Sequence, residues 1–203
     1  MRRDFYHNLV TDKSWKLLVS LRKNYDFILI GGWAVYLYTK ALKSKDIDIV
    51  TEYKELDKLK VEFEVSKNSR LRKYEARRAE VEIDIYIPFY SNPGLPAEYL
   101  RNFLVSVQGY KTVEKEILVI LKVRALMDRI HSVKGRKDLI DLIGIFTLDD
   151  FDWERLRKYL KDYGLEEYSL FVKEAIRSTQ EIQEIGLNVH KMARLKKKIL
   201  PLF

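Results

Sequence analysis

Asp46 and Asp48 stand one residue apart in the run DIDIV, and Asp84 sits in a second run of the same kind, VEIDIYIP. Residues i and i+2 of a strand project from one face, roughly 6.5–7 Å apart. The first two aspartates therefore point the same way, while Ile47 and Ile49 point into the core. In the second run Glu82 and Asp84 share a face, with Ile83, Ile85 and Ile87 opposite. Carboxylates that converge on a rigid strand repel each other unless a cation lies between them. Mg²⁺ is the usual cation for oxygen ligands and phosphate substrates. If the two runs are neighbours, Asp84 completes a three-carboxylate cluster able to hold two metal ions, and Glu82 is left at a solvated position. Such a pair of ions orients a nucleoside triphosphate and activates an attacking hydroxyl for in-line displacement. Without a metal, the same pattern reads as an edge strand with a solvated acidic face.

Upstream, the apolar run FILI ends at Gly31-Gly32 and passes into the helical pattern WAVYLYTKAL. Glycine lets a phosphate approach the backbone, and a helix start offers unpaired N–H groups and a positive dipole end. Gly31 and Gly32 therefore suit a triphosphate cradle; a plain tight turn needs the same residues. Downstream, Lys122 interrupts the apolar stretch ILVILKVRAL. A lysine there snorkels, pairs with an acid or faces a ligand. Aimed at the β/γ-phosphates it would neutralise the leaving pyrophosphate. Arg129 lies seven residues on, as a second phosphate or RNA contact. Asp138 and Asp141 follow at i and i+3 of another helical pattern. Asp138 suits either orienting Lys122 or accepting the proton of an attacking hydroxyl, and both acids could simply answer Arg136 and Lys137.

The elements that must position these groups fall into two parts. Residues 1–24, with Phe5, Leu9, Trp15, Leu18 and Leu21, read as an opening helix. DFILI, DIDIVT, VEFEVS and VEIDIYIP read as strands, YKELDKLK as a short helix, and RKYEARRAE as a polar connection. The segment 91–113 opens with the densest turn signals, Asn-Pro-Gly and then Pro. Beyond it the patterns are helical: 114–131, 134–146, LDDFDWERLRKYLKDYG with its Asp-rich start, a helix over 165–186, and another over 188–200. The expected fold is α/β (α+β): a small mixed sheet over 1–110 with its N-terminal helix, then a helical bundle over 111–203.

The totals narrow the function classes. The 203 residues carry a net charge of +8, which favours polyanionic partners as readily as solubility. The absence of cysteine removes disulfides, zinc–thiolate sites and thiol nucleophiles, and His7, His131 and His190 are scattered. No apolar run approaches the ~20 residues that span a bilayer, and the start lacks a signal-peptide core. A cytoplasmic protein is expected. Trp33 reads as core rather than a base-stacking platform. The tail residues Lys191, Arg194, Lys196, Lys197 and Lys198 read as a solvated helix face docked through Met192, Leu195 and Ile199, or as a grip on an RNA backbone.

A strand, GG, thirteen residues, DID, and a later strand carrying a third Asp together resemble the nucleotidyltransferase superfamily with the DNA polymerase β-type core. Gly31, Gly32, Asp46, Asp48 and Asp84 match its pattern position by position, and Ser44 matches the small hydroxyl residue often found before the acids. Gly32 stands where many members carry Ser. Lys122, Arg129, Lys137, Asp138 and Asp141 are similar to the helical motifs of minimal nucleotidyltransferases of the AbiEii/AbiGii toxin type, and the resemblance covers roughly 25–145. It implies Mg²⁺ held by Asp46, Asp48 and Asp84, with Lys122 and Asp138 completing the catalytic set. Gly31, Gly32, Ser44, Lys122 and Arg129 would bind an NTP such as ATP. The acceptor would be RNA, such as a tRNA 3′ end, or a protein hydroxyl, and an antitoxin partner is implied by the family alone. A small-molecule acceptor, as in antibiotic modification, and a non-catalytic nucleotide- or partner-binding role are the alternatives.

Overall fold

The computed structural model describes residues 8–203, so Phe5 and His7 lie outside it. In chain order the elements are α1 (Asn8–Asn24), β1 (Ile28–Ile30), α2 (Gly31–Thr39), β2 (Ile47–Val50), α3 (Tyr53–Glu62), β3 (Glu64–Asn68), β4 (Lys73–Arg78) and β5 (Val81–Tyr86). A 3₁₀ turn at Ala97–Phe103 leads to β6 (Leu104–Val107) and β7 (Tyr110–Val113). Five helices follow: α4 (Lys115–Arg129), α5 (Val133–Phe146), α6 (Trp153–Asp162), α7 (Glu167–Ser178) and α8 (Val189–Ile199). The fold is mixed α/β, with one seven-stranded sheet in the order β3-β4-β5-β2-β1-β7-β6.

Register follows from the isoleucines. β2 runs parallel to β5 with Ile47 beside Ile83 and Ile49 beside Ile85, and all four are fully buried. A one-residue slip would turn every one of them to the opposite face. The same register sets Asp48 directly beside Asp84. β1 closes on β2 in antiparallel fashion and on β7 in parallel.

The expected elements need three corrections. Residues 73–78, read as a polar connection, form β4. Only Lys73 and Ala76 of its six residues are buried, so no period-2 apolar signal exists; pairing on both sides, to β3 and β5, makes it a strand. β6 and β7 were also unforeseen within the 91–113 turn region. They join through Gln108-Gly109, both at positive φ (52° and 76°), the conformation that two-residue hairpin turns require. The helix expected over 165–186 stops at Ser178. There the Ser178 and Thr179 hydroxyls both donate to the Ala175 carbonyl, a local bonding pattern that competes with helix continuation. Ile182 and Leu187 then form an isolated bridge around a 3₁₀ turn.

One hydrophobic core runs through sheet and helices alike. α4 is its axis: Ile117, Leu118, Val119, Ile120, Leu121, Val123 and Leu126 are all buried. It packs on α2, α5, α6 and α7. Trp33 is core, 1% exposed, with its indole N–H donating to Ser14 Oγ at 2.8 Å. α8 docks through buried Met192 and Ile199 and turns its lysines outward. Among the described residues no helix is long and apolar enough to cross a membrane.

Candidate active site

The two glycines have different neighbours. Gly31 has φ +67°, and a Cβ there would fall 2.0 Å from Asp48 Oδ2. It clears the space that the carboxylate occupies. A Cβ on Gly32 would fall 2.7 Å from Ser44 Oγ and 2.8 Å from Lys137 Nζ. Gly32 is therefore small to admit a side chain from α5. Ile30, the residue capping α2, supplies no side-chain hydrogen bond to the helix start. Gly31→Ala is expected to cost about 1–2 kcal/mol from the left-handed backbone alone and to push Asp48 aside. Chemical denaturation together with a crystal structure of the variant checks both effects.

The carboxylates sit in unequal surroundings. Asp46 lies at the bend just before β2, with Lys134 Nζ 3.0 Å from its Oδ2. Asp84 has Lys73 Nζ at 2.7 Å, and that ammonium also reaches Glu75 at 3.1 Å. Asp48 has no ammonium at pairing distance among the described residues. Burial first, then the charges of Asp84 and Asp46, raise the Asp48 carboxyl to about 6, with Lys122 giving partial relief. Burial raises Asp84 as well, against the opposing pull of Lys73. Tyr86, at the end of β5, is held protonated by burial and by both aspartates. These groups face a cleft of about 410 Å³, lined by Gly31, Asp48, Asp84, Tyr86, Lys122 and Arg129 among others.

Behind the cleft lies a buried ionic network between α4 and α5. Lys122 Nζ reaches Asp138 Oδ1 at 2.9 Å and Asp141 Oδ2 at 2.7 Å. Arg129 holds the other Asp138 oxygen through Nε and Nη2, each at 2.7 Å. Lys137 Nζ donates to Asp141 Oδ2 at 2.8 Å. Burial alone would lower Lys122, but Asp141 and Asp138 together carry it above the ordinary lysine range. Lys137 goes the other way, because burial and the charge of Lys122 outweigh Asp141. Burial raises Asp138, and Lys122 with Arg129 more than reverse that.

Two solved structures superpose on nearly the whole chain. JHP933 from Helicobacter pylori aligns with a TM-score of 0.54 at 17% identity, over 95% of this chain and 94% of its own. A candidate nucleotidyltransferase from H. pylori aligns with a TM-score of 0.53 at 18% identity, over 96% of this chain and 97% of its own. The chain has a nucleotidyltransferase-like fold. No family model matches the sequence, and no curated protein matches it.

Within this nucleotidyltransferase-like fold, Gly31, Asp48, Asp84, Lys122 and Arg129 meet at one cleft. Asp46 lies at its margin, beside Lys134. Asp138 and Asp141 stand behind Lys122, in contact with it rather than among the cleft-lining residues. Ser44 and Gly32 are buried against Lys137. His131 and His190 are exposed and far apart in the chain. Sequence reading missed Lys73, Lys134 and Tyr86; only Tyr86 carried a signal, as the residue two beyond Asp84 on the same strand face. Among the described residues no three carboxylate or imidazole groups form a ready-made metal cage. The donor chemistry nevertheless fits a divalent cation: hard oxygens on a rigid sheet, one carboxylate left bare, and two ammonium groups already standing against the others.

Proposed function

We propose that the protein transfers a nucleoside monophosphate from a nucleoside triphosphate to an acceptor hydroxyl, releasing pyrophosphate. The observation that carries this reading is Asp48 set beside Asp84 on parallel strands, its carboxylate seated in the space that Gly31 clears for it. Asp46, Asp48 and Asp84 would hold Mg²⁺, which when bound neutralises the triphosphate and lowers the barrier to attack at the α-phosphorus. The acceptor oxygen forms a bond to the α-phosphorus as the bond to the bridging oxygen breaks. Pyrophosphate leaves with that electron pair, and the hydroxyl proton passes to Asp84. Lys122 and Arg129, fixed by Asp138 and Asp141, supply positive charge where pyrophosphate departs. The uncapped start of α2 adds N–H donors for phosphate.

The resemblance to AbiEii/AbiGii-type proteins favours RNA, such as a tRNA 3′ end, or a protein hydroxyl as acceptor. It also favours a toxin role beside an antitoxin. The net charge of +8 agrees with a polyanionic acceptor. Incubating the protein with each labelled NTP, Mg²⁺ and total tRNA tests the reading. Label on RNA, or on protein, supports it and names the acceptor. Label only on added small hydroxyl compounds moves the acceptor to the antibiotic type, and no transfer in any mixture leaves a binding protein. Asp48→Asn in the same assay is expected to reduce transfer to background.

A further inference from the structure

Three carboxylates at this site face two lysines from outside the expected motifs. Lys73 opens β4 just after the turn from β3, is 9% exposed, and lines the cleft with Gly31, Lys122 and Arg129. Lys134 sits in the first turn of α5, on the opposite flank, with its side chain 44% exposed. Each ammonium sits on a carboxylate assigned above to metal, Asp84 for Lys73 and Asp46 for Lys134. Neither pair is needed to hold the sheet, whose strands are fixed by their own ladder and by the buried isoleucines. Both lysines have long flexible stems, and Lys73 has a second carboxylate, Glu75, within 3.1 Å.

We infer that Lys73 and Lys134 are exchangeable counter-cations. They neutralise Asp84 and Asp46 in the free protein, yield those carboxylates to divalent ions, and turn their ammonium groups to the triphosphate. The inference rests on the nucleotidyl-transfer reading. Charge conservation supports it. Two dications with a tetra-anionic triphosphate form a neutral unit, which can enter the cleft at unchanged net charge if both lysines change partners and stay. An ammonium against a phosphate oxygen also forms the stronger, charge-assisted kind of hydrogen bond. A consequence is order of binding: free metal competes with two resident ammonium groups, whereas metal with triphosphate gives those groups a new partner.

The test measures two affinities without turnover. Mn²⁺ alone is titrated by electron paramagnetic resonance, and inorganic tripolyphosphate with Mg²⁺ by calorimetry, on wild type, Lys73→Met and Lys134→Met. Each variant is expected to bind Mn²⁺ about three- to fivefold more tightly and tripolyphosphate about tenfold more weakly. Lys134→Met carries the test alone if the buried Lys73→Met fails to fold. Variants that shift both affinities in one direction, or neither, overturn the inference and leave nucleotidyl transfer standing. A wild-type protein that binds neither probe overturns both.

Discussion

Asp48→Asn is expected to raise the melting temperature at pH 7.5 while it silences transfer. Asp48 is a half-buried carboxylate at the cleft beside Asp84, with no ammonium of its own at pairing distance among the described residues. Its carboxyl is raised to about 6 by burial and by its acidic neighbours, so at pH 7.5 the fold carries an ionised group it disfavours. The sign follows from linkage. Between the ordinary aspartate range and about 6, the folded state binds the proton that the unfolded state has lost, so stability falls as pH rises through that window. Asparagine keeps the shape and removes the charge. The gain is about 1–2 kcal/mol at pH 7.5, or roughly 2–8 °C for a chain of this size. It should shrink between pH 6 and pH 4, where wild-type Asp48 takes up its proton. Calorimetric scans of both proteins across that range decide the matter. A variant that melts at or below wild type at pH 7.5 would show that Asp48 is already neutralised and would remove the electrostatic case for a cation there.

The opposite sign is expected deeper in the molecule. Asp141→Ala should cost about 3–5 kcal/mol, because it strands the buried Lys137 ammonium and takes from Lys122 one of its two acids. Asp141 is fully buried and accepts from Lys122 at 2.7 Å and from Lys137 at 2.8 Å. Its other oxygen is buried without a hydrogen-bond partner, so the carboxylate itself is not fully satisfied. The network as a whole is thus no source of great stability; only its breakage is expensive. The double variant Lys137→Met with Asp141→Leu removes one cation together with the acid. It should recover at least half of the loss in urea denaturation, since Lys122 keeps Asp138 at 2.9 Å. If the single variant unfolds at the wild-type urea concentration, Lys137 is neutral in the fold and the network is looser than its distances imply. Asp138 adds an acid limit. Its carboxyl is lowered on balance by Lys122 and Arg129 against the effect of burial, so its stabilising part is present above the unfolded aspartate range and is lost as pH falls through the folded value.

The legible parts of this molecule are those that strand periodicity writes locally. DIDIV and VEIDIYIP put isoleucines on one face and acids on the other, and their pairing followed from burial of the isoleucines. Lys122 stood out because an apolar helix has no reason of its own to contain a lysine. β4 was illegible because its strand state depends on two neighbours rather than on its own residues. Lys73 was lost with it. Lys134 gave no local sign, since its partner Asp46 lies in a distant part of the chain. The Gln108-Gly109 turn was legible in principle: a tight turn between LVSV and YKTV is a hairpin signal. Gly32 could be tied to Lys137 only in three dimensions.

α5 has a consequence for how this architecture can change. A single stripe of that helix carries Lys134 to Asp46, sends Lys137 against Gly32, and grips α4 through Asp138 and Asp141. β7, encoded just before α4, lies in the sheet between β1 and β6. Front and back halves of the chain therefore cannot be exchanged like cassettes. A chimaera grafting a foreign bundle onto this sheet would inherit a cleft without its keystone; under the proposed transfer, new acceptor preferences would arise by altering surface loops around a fixed centre.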